Sequence, residues 1–136
     1  MDFKAWNKQI IEEFRANNGE VAEFAGRPLI LLHTVGAKSG EPRTNPLMYD
    51  SDGDRLYVFA SMGGAPRNPD WYYNVKARPE VTVERGDGST ATMRASELPR
   101  EERDRRFARM KERYPQFAEY EASTDRVIPV IELQPA

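Results

Sequence analysis

The feature that most constrains the fold is a series of six short runs rich in β-branched and aromatic residues. These runs span residues 28–35, 46–49, 55–61, 81–85, 89–95 and 128–133. The turn sequences DSDGD (50–54) and GDG (86–88) join neighbouring runs, so they predict two β-hairpins. Parallel strands would need longer crossover connections, and the pattern therefore predicts an antiparallel barrel.

Three helices are predicted beside these strands. The first covers residues 1–19, where Asp2 can cap the start and Gly19 can end the helix. Its apolar residues recur at spacings of three or four on one face: Phe3, Trp6, Ile10 and Phe14. This pattern favours a helix packed on the domain; a lid or a membrane-surface helix is the alternative.

The second helix is predicted to begin at Asn68-Pro69 and to continue to Ala77. The third covers residues 99–113, where the charge run EERDRRFARMKER is interpreted mostly as a solvated face. Its buried stripe is formed by Phe107, Met110 and Tyr114. Together these elements predict a mainly β fold with added helices.

Composition narrows the function. The 136 residues fit one domain, with the barrel in residues 26–136, and no cysteine is present. Disulfides, thiolate catalysis and cysteine zinc sites are therefore excluded, and one histidine, His33, supports neither a metal cluster nor paired-histidine catalysis. The net charge of −2 argues against nucleic acid. No apolar run reaches the ~20 residues of a membrane span, and the charged N-terminus is unlike a signal peptide. We expect a cytoplasmic protein with no metal.

The first candidate binding segment is GAKSGEPRTNP, residues 36–46, directly after an apolar run. Gly36 and Gly40 free the backbone to present its N–H groups, and Ser39 adds a hydroxyl. Lys38 and Arg43 add positive charge, so the segment suits an anion such as a phosphate. It does not match a Walker A motif, and taken alone it also fits a plain turn.

The second candidate segment is SMGGAPRNPDW, residues 61–71, which leaves a strand and enters a helix N-terminus. Gly63 and Gly64 permit close backbone approach, Arg67 adds charge, and free N–H groups around Asp70 and Trp71 can bind an anion. Two basic, glycine-rich segments at strand ends together predict a ligand with an extended anionic part.

Aromatic residues supply a third feature. Trp71 and Tyr72 lie on the short helix, and Tyr114, Phe117 and Tyr120 recur every three residues. They can line a pocket for a flat, partly polar molecule or pack in the core. No nucleophile–base pair and no paired carboxylates are legible, so the chemistry is expected from a cofactor.

Three ordered blocks resemble the deazaflavin-dependent nitroreductase family of F420-dependent oxidoreductases, which share a split β-barrel related to FMN-binding split barrels. The blocks are the segment from Gly36 to Leu47, the segment from Gly63-Gly64 to Asn74, and the segments Tyr114-Pro115 and Thr124 to Pro129. The resemblance covers roughly Gly26 to the C-terminus. It implies coenzyme F420, a deazaflavin bearing a phosphate and an oligoglutamate tail.

The resemblance also implies roles for individual residues. Lys38 and Arg43 would meet the phosphate and tail, and Tyr120 and Ser61 would act at the reaction centre. Further cofactor contacts would come from Ser39, Asn45, Pro46, Leu47, Ala60, Gly63, Arg67, Trp71, Tyr72 and Asn74. The acceptor would lie against Met48, Tyr114, Phe117 and Tyr120.

The chain departs from the nitroreductase pattern at three positions. A lysine would be expected where Met62 stands, and tyrosines would be expected at Met48 and Phe117. The missing lysine bears on the contacts to the cofactor tail, whereas the two missing tyrosines bear on activity toward bicyclic nitroimidazoles more than on cofactor binding.

The sequence therefore predicts an F420H2-dependent reductase that transfers a hydride to a quinone, an enone or a nitro-compound. An FMN-dependent enzyme of the same fold and a non-catalytic carrier of F420 or of a lipophilic molecule are the alternatives. The expected partner is a small-molecule acceptor, with membrane contact only through the first helix, and the expected state is a monomer.

Overall fold

The computed structural model describes residues 3–24 and 26–136; the side chain of Phe3 and the predicted cap Asp2 lie outside the described part. The helices are α1 (Phe3–Ala16), α2 (Asp70–Ala77), α3 (Arg100–Arg113) and α4 (Gln116–Ala122). The strands are β1 (Leu29–Val35), β2 (Pro42–Asp52), β3 (Arg55–Phe59), β4 (Glu80–Glu84), β5 (Thr90–Glu97) and β6 (Val130–Pro135). Short 3-10 turns cover Ala22–Phe24 and Met62–Gly64.

The six strands close into one barrel in the order β1-β2-β3-β6-β5-β4. Every neighbouring pair is antiparallel, including the β1–β4 pair that closes the ring. Both predicted hairpins form, β2–β3 across residues 53–54 and β4–β5 across residues 85–89. The predicted split-barrel fold with antiparallel strands and added helices is therefore confirmed.

The two faces of the strands are buried in different ways. Alternate residues such as Ile30, Leu32, Val58 and Ile131 point into the barrel and form its central cluster, which α2 extends with Trp71. On the outer face, Leu29 and Leu31 pack against Ile10 and Phe14 of α1. The outer side of β3 and β6 packs against α3 and α4 through an aromatic cluster that includes Phe59, Phe107 and Phe117.

Helix α1 is a packed element of the domain. Ile10 and Phe14 are buried on the barrel, and the indole of Trp6 donates a hydrogen bond to Glu23 and lies beside Phe24. Trp6, Ile10 and Phe14 of the apolar stripe, which a membrane-surface helix would present to the bilayer, are thus used in packing. Among the described residues, no helix is both long enough and apolar enough to cross a bilayer.

Several predicted boundaries were wrong. β2 begins at Pro42 rather than at residue 46, because Pro42 to Asn45 pair with the last residues of β1. β3 ends at Phe59, before Ser61. α2 begins at Asp70, and the Asn68 side chain caps no helix; it accepts a hydrogen bond from Arg126 instead. The sequence pattern also missed α4.

The charge run of α3 is more than a solvated face. Arg109 and Arg113 both hydrogen-bond the carboxylate of Asp50, whose side chain is only 1% exposed. Arg106 pairs with Asp52 at 2.8 Å and lies over the ring of Tyr57. These contacts fix α3 on the outside of β2 and β3.

A hydrogen-bonded group joins α1, β1 and β4. Arg15 donates two hydrogen bonds of 2.9 Å to Glu84, whose carboxylate also bonds His33 Nε2 at 2.9 Å. His33 Nδ1 bonds the hydroxyl of Thr44 at 3.0 Å. His33 therefore has a structural role, as its place in an apolar strand indicates. The hydrogen bonds from Arg15, with a smaller contribution from His33, lower the pKa of Glu84 to about 2.

This group predicts an acid-sensitive contribution to stability. A carboxyl whose pKa falls on folding stabilises the protein above its unfolded value, near 4.5, and this contribution is lost as the pH falls toward 2. We expect Glu84→Gln to lower the unfolding midpoint most above pH 5, with the difference from wild type shrinking in acid. Thermal unfolding from pH 2 to 7 measures this. Glu101→Gln, at an exposed helix pair, is the control, and a difference independent of pH would contradict the prediction.

Candidate active site

Strand direction gathers the candidate segments at one end of the barrel. β1 and β3 both run antiparallel to β2, so their carboxyl ends lie at the same end. By the same rule β5 ends there, and β2, β4 and β6 begin there. The connections at this end are residues 36–41, 60–79 and 98–129. Both glycine-rich segments and the aromatic helix α4 therefore share one rim.

The first connection, loop A (residues 36–41), is a closed turn rather than an open one. The Gly36 N–H donates to the Glu41 carbonyl at 2.8 Å, and the Gly40 N–H donates to the Gly36 carbonyl at 2.9 Å. A Cβ at Gly36 would collide with the Ser39 hydroxyl, and Gly40 has a φ of 71°. The two glycines therefore set the shape that presents Lys38 and Ser39.

The positive charges at this rim are available to a ligand. Among the described residues, Lys38 and Arg67 have no carboxylate within ion-pair distance, and both are exposed. Arg43 forms an exposed pair with Glu41 at 3.3 Å and reaches the Ser39 hydroxyl at 3.4 Å. Exposed ion pairs of this kind contribute little to stability, so an anionic ligand can replace Glu41 as the partner of Arg43.

The second connection begins with loop B (residues 60–69), which has an unusual backbone. Met62, Gly63 and Gly64 all have positive φ, of 47°, 64° and 85°. Gly64 lies directly against α4, since a Cβ there would come within 2.9 Å of the Tyr120 carbonyl oxygen and of Ser123 Cβ. A Cβ at Gly63 would meet open space, which suits close approach of a ligand.

Asn74 of α2 holds loop A in place. Its Oδ1 accepts a hydrogen bond from the Ala37 N–H at 2.9 Å, and its Nδ2 donates to the Thr34 hydroxyl at 3.1 Å. The residue is buried. Its side chain, which the sequence predicts to contact the cofactor, hydrogen-bonds loop A in this structure. Asp70 and Asn74 are separated by about 6 Å of helical rise, so α2 keeps loops A and B close together.

The other two α2 residues that are predicted to contact the cofactor, Trp71 and Tyr72, also have partners within the protein. Trp71 is buried in the barrel cluster. Tyr72 donates a 2.6 Å hydrogen bond to Glu97, which also binds Lys76. Burial, reinforced by the Glu97 hydrogen bond, raises the pKa of Tyr72 to about 12, so its hydroxyl stays protonated.

The β2 residues that are predicted to contact the cofactor or the acceptor lie on both faces of the strand. Asn45 and Leu47 pair with Leu32 and Ile30, so they share the barrel-facing side. Pro46 and Met48 lie on the outer side, where the Met48 sulfur accepts a 3.7 Å hydrogen bond from Gln116. Ala60 and Ser61, directly after β3, are buried at the same rim.

The aromatic residues that are predicted to contact the acceptor lie on α4 or just before it. Phe117 is 3% exposed and packs edge-on against Phe59 and Tyr120, so it supports the surface from beneath. Tyr114 and Tyr120 are partly exposed. Since Gly64 touches the Tyr120 backbone, the acceptor helix and loop B are in direct contact.

Sequence reasoning missed one residue that organises this rim. Arg126, in the connection between α4 and β6, hydrogen-bonds four oxygens of loop B. It belongs to a sequence block of the family resemblance, but its partners are mostly backbone carbonyls. No residue-type pattern marks such partners.

A separate cleft of about 350 Å³ lies on the outside of the barrel between α3 and the β2–β3 turn. Its lining includes Asp52, Arg55, Arg106 and Glu132, most of which pair with one another. It lies toward the opposite end of the barrel from loops A and B.

A closed antiparallel barrel of six strands with glycine-rich connections at one end is the architecture of the split-barrel class. The model of the F420H(2)-dependent quinone reductase family matches residues 6–135. The F420H(2)-dependent quinone reductase Rv1261c of Mycobacterium tuberculosis is 37% identical over 130 residues, covering 88% of this chain and 83% of that protein. The chain therefore belongs to the F420H(2)-dependent quinone reductase family.

Two solved structures are similar to this chain over most of its length. An F420-H2 dependent reductase, FDR-A, is 44% identical with a TM-score of 0.71, over 79% of this chain and 95% of that chain. A second structure, a domain-swapped dimer, is 36% identical with a TM-score of 0.72, over 98% of this chain and 100% of that chain.

These comparisons confirm the predicted F420-dependent reductase and its cofactor. They give no support to FMN. They favour an enzyme over a non-catalytic carrier, because the relatives are named as reductases. Activity on nitro-compounds and a cytoplasmic location stay predictions.

The contacts of Asn74 predict a change in both stability and binding. Asn74→Ala leaves the Ala37 N–H and the Thr34 hydroxyl without their partner, which we expect to lower the free energy of unfolding by about 1–3 kcal/mol. Loop A would also lose its anchor, so the affinity for F420 should fall although Lys38 is unchanged. Urea unfolding and F420 fluorescence titration measure the two effects. Asn17→Ala is the control, at an exposed asparagine that directly follows α1 and donates to the Glu13 carbonyl. An unchanged F420 affinity in Asn74→Ala would contradict the anchoring role.

Proposed function

We propose that this chain reduces a quinone with F420H2 held at the rim between loops A and B. The observation that carries the proposal is the convergence of two glycine-shaped basic loops and the aromatic helix α4 at one end of the barrel. The quinone is the acceptor named by the family and by its relatives. An extended anion and a flat ring are the two parts of a ligand that this rim suits.

The donor set fits the anionic part of F420. Lys38 and Arg67 carry charges with no ion-pair partner among the described residues, and Arg43 holds only a weak exposed pair. With Ser39 they would bind the phosphate and the acidic tail through charge-assisted hydrogen bonds. Because Met62 stands where a lysine would be expected, Lys38, Arg43 and Arg67 would carry most of this interaction.

The ring would lie toward the barrel rim, between Asn45 to Leu47 and Ala60 to Gly63. Reduced F420 supplies a hydride when bound. Ser61 would position groups near the ring, and the buried apolar lining would keep water away from the reacting atoms.

Tyr120 is the proposed hydrogen-bond donor to the acceptor. A quinone oxygen gains negative charge as the ring is reduced, and a fixed hydroxyl beside it stabilises that charge. Tyr120 is suited to this because its ring packs on Phe117 and its backbone lies against Gly64. Tyr114 and Met48 would bound the same acceptor space.

A domain-swapped relative favours a dimer over the monomer predicted from the sequence. The proposed site uses residues of one chain only, so either state is compatible with it.

One prediction of this proposal concerns the charges of Lys38 in loop A and of Arg43 at the start of β2. Lys38→Ala and Arg43→Ala should each weaken F420 binding by on the order of 1–3 kcal/mol, because each would remove a charge-assisted hydrogen bond. Fluorescence titration with F420 measures this, and the loss should diminish at high salt. Lys8→Ala, at an exposed position of α1, is the control. Wild-type affinity in both Lys38→Ala and Arg43→Ala would refute the assignment of this segment to the anionic part of F420.

The second prediction separates the acceptor side from the cofactor side. Tyr120→Phe keeps the ring but removes the hydroxyl, so we expect kcat with menadione to fall about 10- to 100-fold. F420 affinity should stay at its wild-type value. Tyr114→Phe is the matched variant and should have the smaller effect on kcat. A Tyr120→Phe enzyme with wild-type kcat would exclude the hydroxyl from the reaction.

A further inference from the structure

Arg126 lies in the connection between α4 and β6 and reaches across to loop B. Its Nε donates to the Ala65 carbonyl at 2.9 Å, and its Nη1 donates to the Asn68 Oδ1 at 2.6 Å. Its Nη2 donates to the Ala60 and Ser61 carbonyls at 3.0 and 2.9 Å. One side chain thus binds both ends of the loop that carries Ser61 and Gly63.

The chemistry of these contacts suits arginine and no other residue. A guanidinium offers five N–H donors in a planar fork, whereas a lysine ammonium is a compact point charge with three donors. All four acceptors are neutral oxygens, and no carboxylate of the described residues lies within ion-pair distance of Arg126. Burial lowers the pKa of Arg126 from its ordinary value, as expected for a cation with no counter-ion. The side chain therefore serves its carbonyl partners rather than an ion pair.

Loop B needs such a support. Three successive residues, Met62 to Gly64, adopt positive φ, and for Met62, which has a Cβ, this conformation is strained. The conformation persists only where the surroundings impose it. On one side the loop is pressed against α4 at Gly64, and on the other side it is held by Arg126.

The same residue is tied to the acceptor helix. Arg126 lies only four residues after the end of α4. Ser123, which directly follows α4, packs so close to Gly64 that a Cβ on Gly64 would collide with it. The Arg126 N–H also bonds the Thr124 hydroxyl at 3.3 Å. Loop B, α4 and the Arg126 segment therefore form one packed unit.

We propose that Arg126 is a positioning residue that holds the cofactor loop and the acceptor helix at a fixed separation. This proposal rests on the proposed function, since loop B is assigned to F420 and α4 to the quinone. Hydride transfer depends steeply on the distance between donor and acceptor, so release of this clamp should act on turnover. Arg126 itself touches neither ligand in this proposal.

The test compares Arg126→Lys and Arg126→Met with wild type and with Arg109→Met. Arg109 also hydrogen-bonds across the fold, to Asp50, but lies on α3 away from loops A and B. The Arg109→Met control reports the effect of losing such a contact on stability alone. Measurements are kcat and KM with menadione, the F420 dissociation constant, and the melting temperature.

We expect kcat to fall on the order of ten- to a hundred-fold in Arg126→Met, with a smaller change in KM for menadione. Arg126→Lys keeps the charge but loses the fork, so its kcat should lie between wild type and Arg126→Met. Arg109→Met should melt earlier yet keep wild-type kcat below its melting range. Wild-type kcat in both Arg126 variants would overturn the proposal, as would a loss in Arg126→Met confined to melting temperature.

A second measurement needs no cofactor and distinguishes failure of this proposal from failure of the proposed function. Hydrogen exchange of the free protein reports opening of loop B and of α4 as separate peptides. Arg126→Met should raise exchange in both segments together, and Arg109→Met should not. Unchanged exchange in loop B would refute the clamp even if F420 binds. Raised exchange with no F420 binding to wild type would support the clamp and refute the assigned function.

Discussion

Closure of the barrel through antiparallel neighbours is the constraint on which the candidate site depends. The described residues form six strands, all paired in the antiparallel sense, so successive connections must alternate between the two ends. The connections at one end are short turns, across residues 53–54 and 85–89. The longer connections between strands lie at the other end, and they contain both glycine-rich loops and the helices α2, α3 and α4. The topology alone therefore brings the elements of the candidate site to one end of the barrel.

Two polar side chains convert these long connections into a fixed rim. Backbone N–H and C=O groups in a packed loop need partners, and loops A and B find several of them on Asn74 and Arg126 rather than on another strand. Asn74 comes from α2 and Arg126 from the chain after α4, so each loop is anchored by a neighbouring element. A rim held in this way needs less ordering when a ligand binds.

The strands were predictable because β-branched runs and tight turns are local signals. The two basic, glycine-rich loops stand out in the sequence because glycines and cations cluster within eleven residues, and their binding role stays a prediction. The start of β2 was not, since Pro42 and Arg43 lack strand character and are drawn into the sheet by β1. Helix α4 has only seven residues, too few for a periodic pattern. The anchoring roles of Asn74 and Arg126 depend on partners up to 66 residues distant, which no local pattern reports.

The structure also gives a physical reason for one departure from the nitroreductase pattern. Position 117 is 3% exposed, and its ring meets Phe59, Phe107 and Tyr120 edge-on. A tyrosine there would place a hydroxyl against this apolar cluster and would need a partner that the three rings do not offer. With phenylalanine at 117 and Met48 on the facing strand, Tyr114 and Tyr120 supply the hydroxyls around α4. In the proposed acceptor site, these two hydroxyls are therefore the ones that can stabilise the oxygen of a quinone as it is reduced.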